Sequence, residues 1–194
     1  IYRQTNSGLQ RRIMEYLKKI KLKDGRECIL RNGNERDGQA ALENFILTHG
    51  QTDYLLTYPD ENTMTVEEEA KYLKEKRESE REIEILAEVE GALVGLAGIA
   101  AIGEKDKIRH RADFGISINK AYWNLGIGTA LLHACVDCAR KAGYEQIELN
   151  VVAENESAVS IYKKAGFVEY GRNPRGFKSR LTGYQKVIYM RMEL

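Results

Sequence analysis

The chain has 194 residues, 43% of them hydrophobic and 30% charged, a balance suited to one well-buried globular core. Its 30 basic and 29 acidic residues leave a formal charge of +1, so no global field draws in nucleic acid or an anionic membrane. No apolar run approaches the roughly 20 residues of a membrane span, and the N-terminus lacks the apolar segment of a secretory leader. Neither nucleic acid nor membrane is therefore expected as a partner, and the expected compartment is the cytoplasm.

Leu9, Ile13, Tyr16, Leu17 and Ile20 recur at helical spacing with basic residues around them, which predicts an amphipathic helix over residues 7–20. Residues 1–20 then read as a helical extension, and 21–194 as a single domain. The extension is expected to pack on that domain or on a second copy of the chain, which makes a homodimer a candidate assembly. Asp24-Gly25 signals a turn before a short strand at 27–31, and Ala40, Ala41, Leu42, Phe45 and Ile46 mark a helix over 37–49. Residues 51–64 are polar and aromatic, with Asp53, Tyr54, Tyr58 and Glu61 close together; such a loop is either a binding wall or a solvated connection. Thr65 and Glu68 form a capping box for a charged helix reaching about residue 81, whose acids are explained by pairs such as Glu67 with Lys71.

Two apolar segments, 83–89 and 92–102, flank Glu90-Gly91 as a β-hairpin. In the strand predicted over 108–118, Ala112, Phe114, Ile116 and Ile118 share one face, and Arg111, Asp113, Gly115 and Ser117 the other. It feeds a glycine turn, Leu125-Gly126-Ile127-Gly128-Thr129, that opens a helix over 126–142. Glycines between a strand and a helix bare backbone N–H groups where the helix dipole is positive, which suits a phosphate. Of the three cysteines, Cys135 and Cys138 make a C-x-x-C beside His133, but inside a helical pattern and without a second ligand pair. They read as small buried apolar residues, and no metal is expected. A strand follows at 146–152, then a helix capped by Asn155 and stopped by Gly166, a strand from 167, a basic loop at 172–180 and a last strand at 184–192. Antiparallel hairpins thus precede a strand–helix–strand–helix–strand core, a mixed α/β order.

The glycine turn together with the downstream run Asn150-Val-Val-Ala-Glu-Asn155-Glu-Ser-Ala158, ending in Tyr162-Lys-Lys-Ala-Gly166-Phe167, resembles the GNAT-type N-acetyltransferases. The resemblance is clear from residue 83 to the C-terminus and weaker over 27–81. It implies an α/β fold with a single twisted, partly splayed mixed sheet and helices on both faces. Acetyl-CoA is implied as co-substrate, inserted between the strand ending near Ile118 and the strand at 146–152. Its diphosphate would rest on the backbone of Leu125, Gly126, Ile127, Gly128, Thr129 and Ala130, and its pantetheine arm would meet Ile116, Ser117, Ile118, Asn150 and Asn155. Family members often carry Gln or Arg three positions before the first motif glycine; here that position is Trp123, and the backbone cradle does not need the missing side chain.

The chemistry implied is direct attack of an amine on the thioester. A protonated alkyl amine titrates about 3 units above neutral, so a base must take its proton first. Asp113 falls where relatives carry a strand carboxylate, with a surface salt bridge to Arg109 or Arg111 as its competing role and Glu148 as the second candidate base. Tyr162 matches the family's general acid for the departing thiolate, and core packing is its competing role. The acceptor is expected to be a small-molecule amine or a peptide N-terminus, against Asp53, Tyr54, Tyr58 and Glu148. A non-catalytic acyl-CoA-binding regulator is the rival class. A nucleotide-binding module fits poorly, since no Gly-Lys-Ser/Thr follows the turn.

Overall fold

Two tight hairpins start the sheet. In the computed structural model, which describes residues 13–194, Leu17–Lys21 (β1) and Glu27–Asn32 (β2) pair antiparallel around Gly25, whose φ of 92° suits glycine. Ile83–Val89 (β3) and Ala92–Ala101 (β4) turn at Glu90 and Gly91, with φ of 52° and 81°, the two left-handed residues that a twisted hairpin demands. Arg111–Ile118 (β5), Gln146–Val152 (β6), Val168–Ser179 (β7) and Gly183–Glu193 (β8) complete an eight-stranded sheet in the order β1-β2-β3-β4-β5-β6-β8-β7. Among the described strands only β5 and β6 pair in parallel.

Four helices cover the faces. Ile127–Lys141 (α3) and Glu156–Ala165 (α4) close the apolar face, where Leu131, Leu132 and Cys135 meet Ile83, Ile85, Ala112, Phe114, Ile147 and Met190. Gly38–Gln51 (α1) and Val66–Glu78 (α2) lie on the other face, with α1 against β4 and β5 and α2 against β3. Thr65 and Glu68 form the expected capping box of α2.

Two expectations are corrected. The part of the proposed N-terminal helix that falls on Leu17–Lys21 is strand β1; residues 1–12 lie outside the described residues. The edge of β2 needs a partner for its N–H and C=O groups, and that pairing outweighs a few apolar residues at helical spacing. The basic segment 172–180 belongs largely to β7, whose register shifts between Asn173 and Phe177 around Pro174. An edge strand tolerates proline at such an irregularity, and its solvated basic side chains imitate a loop.

The feature that positions the site is a fork. β5 and β6 pair only through Arg111↔Gln146, Ala112↔Ile147 and Asp113↔Glu148. Beyond it β5 stays paired to β4 through Ile118, and β6 to β8 through Val152, so the inner edges of both strands diverge without a partner. The splay expected from the resemblance is therefore present.

Candidate functional site

The glycine turn sits at the open end of the fork. Gly126 is the N-cap of α3 at φ 101°, and no side chain caps the helix. The first-turn N–H groups are thus left for an outside anion, and no atom lies within 4 Å of a Cβ built on Gly126. Side chains hold the turn from behind: Trp123 Nε1 donates to the Ile118 carbonyl at 2.8 Å, and Asn119 Oδ1 accepts from Ala121 N at 3.1 Å and from Gln51 Nε2 of α1 at 3.2 Å. Trp123 therefore braces the phosphate turn against β5. These open amides fit a diphosphate, and the unpaired edges of β5 and β6 fit an amide-bearing chain laid between them as an added strand.

Tyr162 and Asp113 stand on opposite sides of the point where the strands part. Phe114 is the first β5 residue past the last pair, and the Tyr162 ring meets it edge-on at 6.2 Å and packs against Phe167 at 5.9 Å. Burial raises the Tyr162 pKa, which keeps the phenol protonated, and among the described residues its hydroxyl has no hydrogen-bond partner. Asp113 points to the α1/α2 face and retains exposed surface. Flanking protein raises its pKa by desolvation, and the charge of Glu148 adds to that.

Neither expected salt bridge to Asp113 forms. Arg111 pairs instead with Glu148, its Nη2 2.8 Å from Oε2, and Arg109 pairs with Asp106 at 3.7 Å. Glu148 also accepts from the Tyr170 hydroxyl at 3.2 Å. The Arg111 hydrogen bond holds its carboxyl below the usual carboxylate range despite burial. Glu148, expected as the second base and as an acceptor contact, is a buried carboxylate paired with Arg111 and Tyr170.

The loop after α1 does meet the end of the β7–β8 hairpin, and the two are clasped. The Asp53 carboxylate accepts from Ser179 Oγ at 2.7 Å, Thr182 Oγ1 at 2.8 Å and Gln185 Nε2 at 3.1 Å. The Tyr58 hydroxyl accepts from Arg180 N at 2.7 Å, and the Arg180 guanidinium lies 4.3 Å from the Tyr58 ring centre while pairing with Asp60 at 2.8 Å. Asp53 and Tyr58 hold this wall together, and Tyr54 lies half-buried between them in the chain. Asn155 caps α4, accepting from Ala158 N at 3.3 Å, while Asn150 is exposed on β6 beyond the fork.

Three polar residues on the α1/α2 face were not singled out as a group by the sequence. Asn44 of α1 and Ser117 of β5 are 4% and 7% exposed, and the polar atoms of both side chains lack a partner among the described residues. Glu84 lies over Gly98, and burial raises its carboxyl pKa to about 7. The cysteines are buried and their thiols pushed up, Cys138 to about 11, while His133 faces solvent. A cavity of about 850 Å³ lies at the opposite end of α3, lined by Arg81, His110 and Gly143, and borders Ile13, the first described residue.

Residues 51–167 match the model of the acetyltransferase (GNAT) family. The L-amino acid N-acetyltransferase AaaT of Escherichia coli (strain K12) is 27% identical over 167 residues, covering 84% of this chain and 96% of that protein. The N-alpha-acetyltransferase RimI of Mycobacterium tuberculosis is 32% identical over 88 residues, covering 45% and 53%. Among solved structures, a GNAT family acetyltransferase from Streptococcus pneumoniae superposes with a TM-score of 0.82 at 28% identity, covering 86% of this chain and 99% of that one.

Proposed function

The chain belongs to the GNAT family of acetyltransferases, and on that premise we propose that it acetylates the α-amine of an amino acid or of a peptide N-terminus, by direct attack within a ternary complex. Acetyl-CoA is the co-substrate and an amine is the acceptor. The observation that carries the proposal is the placement of Asp113 and Tyr162 on opposite faces of the one fork in the sheet, next to the uncapped start of α3. An amine reaching the fork from the α1/α2 side meets a carboxylate, and the group leaving toward α4 meets a phenol.

Acetyl-CoA supplies the acetyl group as a thioester, already activated toward amines. Asp113 takes the proton of the incoming ammonium and passes it to solvent, a transfer that its raised pKa favours. The α-ammonium of a peptide N-terminus titrates near pH 8, about 2 units below a lysine side chain, so such an α-amine needs less help from a carboxylate. That difference supports an α-amine over an ε-amine. The backbone N–H groups of β5 past the fork are oriented donors for the charge that develops on the carbonyl oxygen. The nitrogen of the tetrahedral adduct releases its second proton to solvent by way of the Asp113 carboxylate, and the Tyr162 hydroxyl gives its proton to the sulfur as the carbon–sulfur bond breaks and regains one from solvent. Because a phenol is a weaker acid than a thiol, this donation is coupled to bond cleavage.

Direct attack is supported by the lack, among the described residues, of an activated nucleophile at the fork. The thiols are buried and neutral, and no base is hydrogen-bonded to Ser117 Oγ. Asp53 and Tyr58 form the outer wall of the acceptor side by keeping loop 52–64 against residues 179–185. The names of the two curated relatives, one acting on L-amino acids and one an N-alpha-acetyltransferase, point to the same acceptor class. The test is release of free thiol from acetyl-CoA across amino acids, N-terminal peptides, polyamines and aminoglycosides, with products identified by mass spectrometry. Acetylation at α-amines is expected; turnover confined to polyamines or aminoglycosides would refute the acceptor class.

A further inference from the structure

Three buried polar atoms on the acceptor side have no partner among the described residues: Asn44 Nδ2, Asn44 Oδ1 and Ser117 Oγ. Buried polar groups are nearly always hydrogen-bonded, so atoms left over at a site call for a ligand or a trapped water. The neighbouring polar groups of α1 are committed elsewhere: Thr48 Oγ1 donates within its own helix, 2.8 Å from the Asn44 carbonyl, and the Gln51 amide is tied to Asn119 and Lys120.

Ser117 shares the face of β5 that carries Asp113, and Asn44 lies on the buried side of α1, which packs on β4 and β5. Along β5, Asp113, Gly115 and Ser117 alternate with the core residues Phe114 and Ile116. The Gln51–Asn119 bond shows that this face is the one under α1. Between Asp113 and Ser117 the strand is bare: no atom lies within 4 Å of a Cβ built on Gly115, which is itself exposed. Across the pair, the space over Gly98 is filled by the Glu84 carboxyl. Asp113 and Ser117 thus flank a bare stretch of strand at Gly115, with the Glu84 carboxyl across the pair over Gly98 and with α1, which carries Asn44, packed on β4 and β5.

We propose that Asn44 and Ser117 position the acceptor by hydrogen-bonding the carbonyl or carboxylate oxygen carried on the carbon next to its amine-bearing carbon. The assignment rests on the acetyl-transfer reading above. Gly115 and Ser117 are about 7 Å apart along the strand. The nitrogen and carbonyl oxygen of an α-amino acid lie about 3 Å apart, and a hydrogen bond adds about 2.8 Å. An amine over Gly115, beside the Asp113 carboxylate, therefore leaves its own carbonyl oxygen within reach of the Ser117 hydroxyl. The Asn44 amide brings two further N–H donors. The same chemistry is offered by a free amino acid and by the first residue of a peptide.

The test compares wild type with Asn44→Leu and Ser117→Ala, using acetyl-CoA and four forms of each acceptor: the amino acid, its amide, a dipeptide beginning with it, and the amine left when its carboxyl group is removed. Wild type is expected to prefer a carbonyl-bearing form over the decarboxylated amine by at least about tenfold. Each variant is expected to shrink that ratio about 10-fold or more, mainly through acceptor KM. Which carbonyl-bearing form is used fastest separates a free carboxylate from a peptide carbonyl. Asn44→Leu is also expected to raise the thermal midpoint, because an unpaired buried amide is replaced by an apolar group of similar size. A wild type that uses decarboxylated amines equally well, or an Asn44→Leu variant with unchanged selectivity and a lower midpoint, would mean that the two residues only hold a structural water, and would overturn the assignment. A wild type that releases no thiol with any amine would overturn the acetyl-transfer reading itself.

Discussion

Replacing Glu84 by Gln measures how dry the α1/α2 face of the sheet is. The Glu84 carboxyl lies over Gly98, with the Tyr72 hydroxyl 3.5 Å from Oε2. Burial raises its pKa from the ordinary 4.5 to about 7, opposed by the charge of Lys76 and reinforced by that of Glu69. A carboxyl raised in the folded state contributes stability that is fully present below the unfolded pKa and is lost as pH rises through the folded one. The window here runs from pH 4.5 to about 7. At about 1.4 kcal/mol per pH step, the full excursion is about 3 kcal/mol. Glu84 keeps some exposed surface, so water screens part of this, and about 2–3 kcal/mol is expected. Gln is neutral throughout, so the stability of the variant minus that of wild type should grow by this amount from about pH 4 to about pH 8, or by roughly 5–10 °C in Tm for a chain of this size. Urea unfolding followed by circular dichroism at each pH measures it, because the subtraction cancels the other titrating groups. A difference constant to within about 0.5 kcal/mol across the range would show a hydrated carboxyl and refute the reasoning.

Tyr162→Phe removes only a hydroxyl without a partner among the described residues and leaves the ring between Phe114 and Phe167. Turnover is expected to fall about 100- to 1000-fold, with acetyl-CoA affinity by calorimetry and Tm unchanged; an unimpaired turnover would assign the tyrosine to packing alone. Asp113→Asn is expected to lower kcat/KM about 100-fold and to abolish the acidic limb of the pH–rate profile. In wild type that limb should lie above the ordinary 3.8 of an aspartate, since the ionised form is the active one and its pKa is raised; a limb that survives in the variant would move the base elsewhere. Asp53→Ala deprives Ser179, Thr182 and Gln185 of their shared acceptor. It should cost about 1–3 kcal/mol of stability and raise acceptor KM while leaving acetyl-CoA affinity alone, and loss of acetyl-CoA binding instead would contradict the division between the two sides of the fork.

Much of this was written in local pattern. The 83–102 hairpin, the helix after the glycine turn and the helix capped by Asn155 are each specified by residues within a few positions of one another, and the structure follows them closely. The fork was legible only through the pairing of the glycine turn with the run from Asn150 to Phe167. What sequence alone could not supply are consequences of register across long separations. Arg111 meets Glu148 because the parallel pairing aligns Asp113 with Glu148, and nothing in either segment announces it. Asp53 reaches Ser179 across a sequence separation of 126, so a clasp looked like a free acidic wall. Strand β1 was hidden because Leu17 and Ile20 satisfy a helical period as well as a strand that alternates weakly, and its partner β2 decides. The unpaired atoms of Asn44 and Ser117 are visible only once every neighbouring donor and acceptor has been assigned.

The central claim is that the acetyl group passes directly from thioester to amine while both are held at the fork. Initial rates measured over a grid of acetyl-CoA and acceptor concentrations test it most directly. Intersecting double-reciprocal lines, with no acetylated protein recovered when acetyl-CoA is supplied alone, are the predicted result. Parallel lines together with acetyl bound covalently to the chain would contradict it.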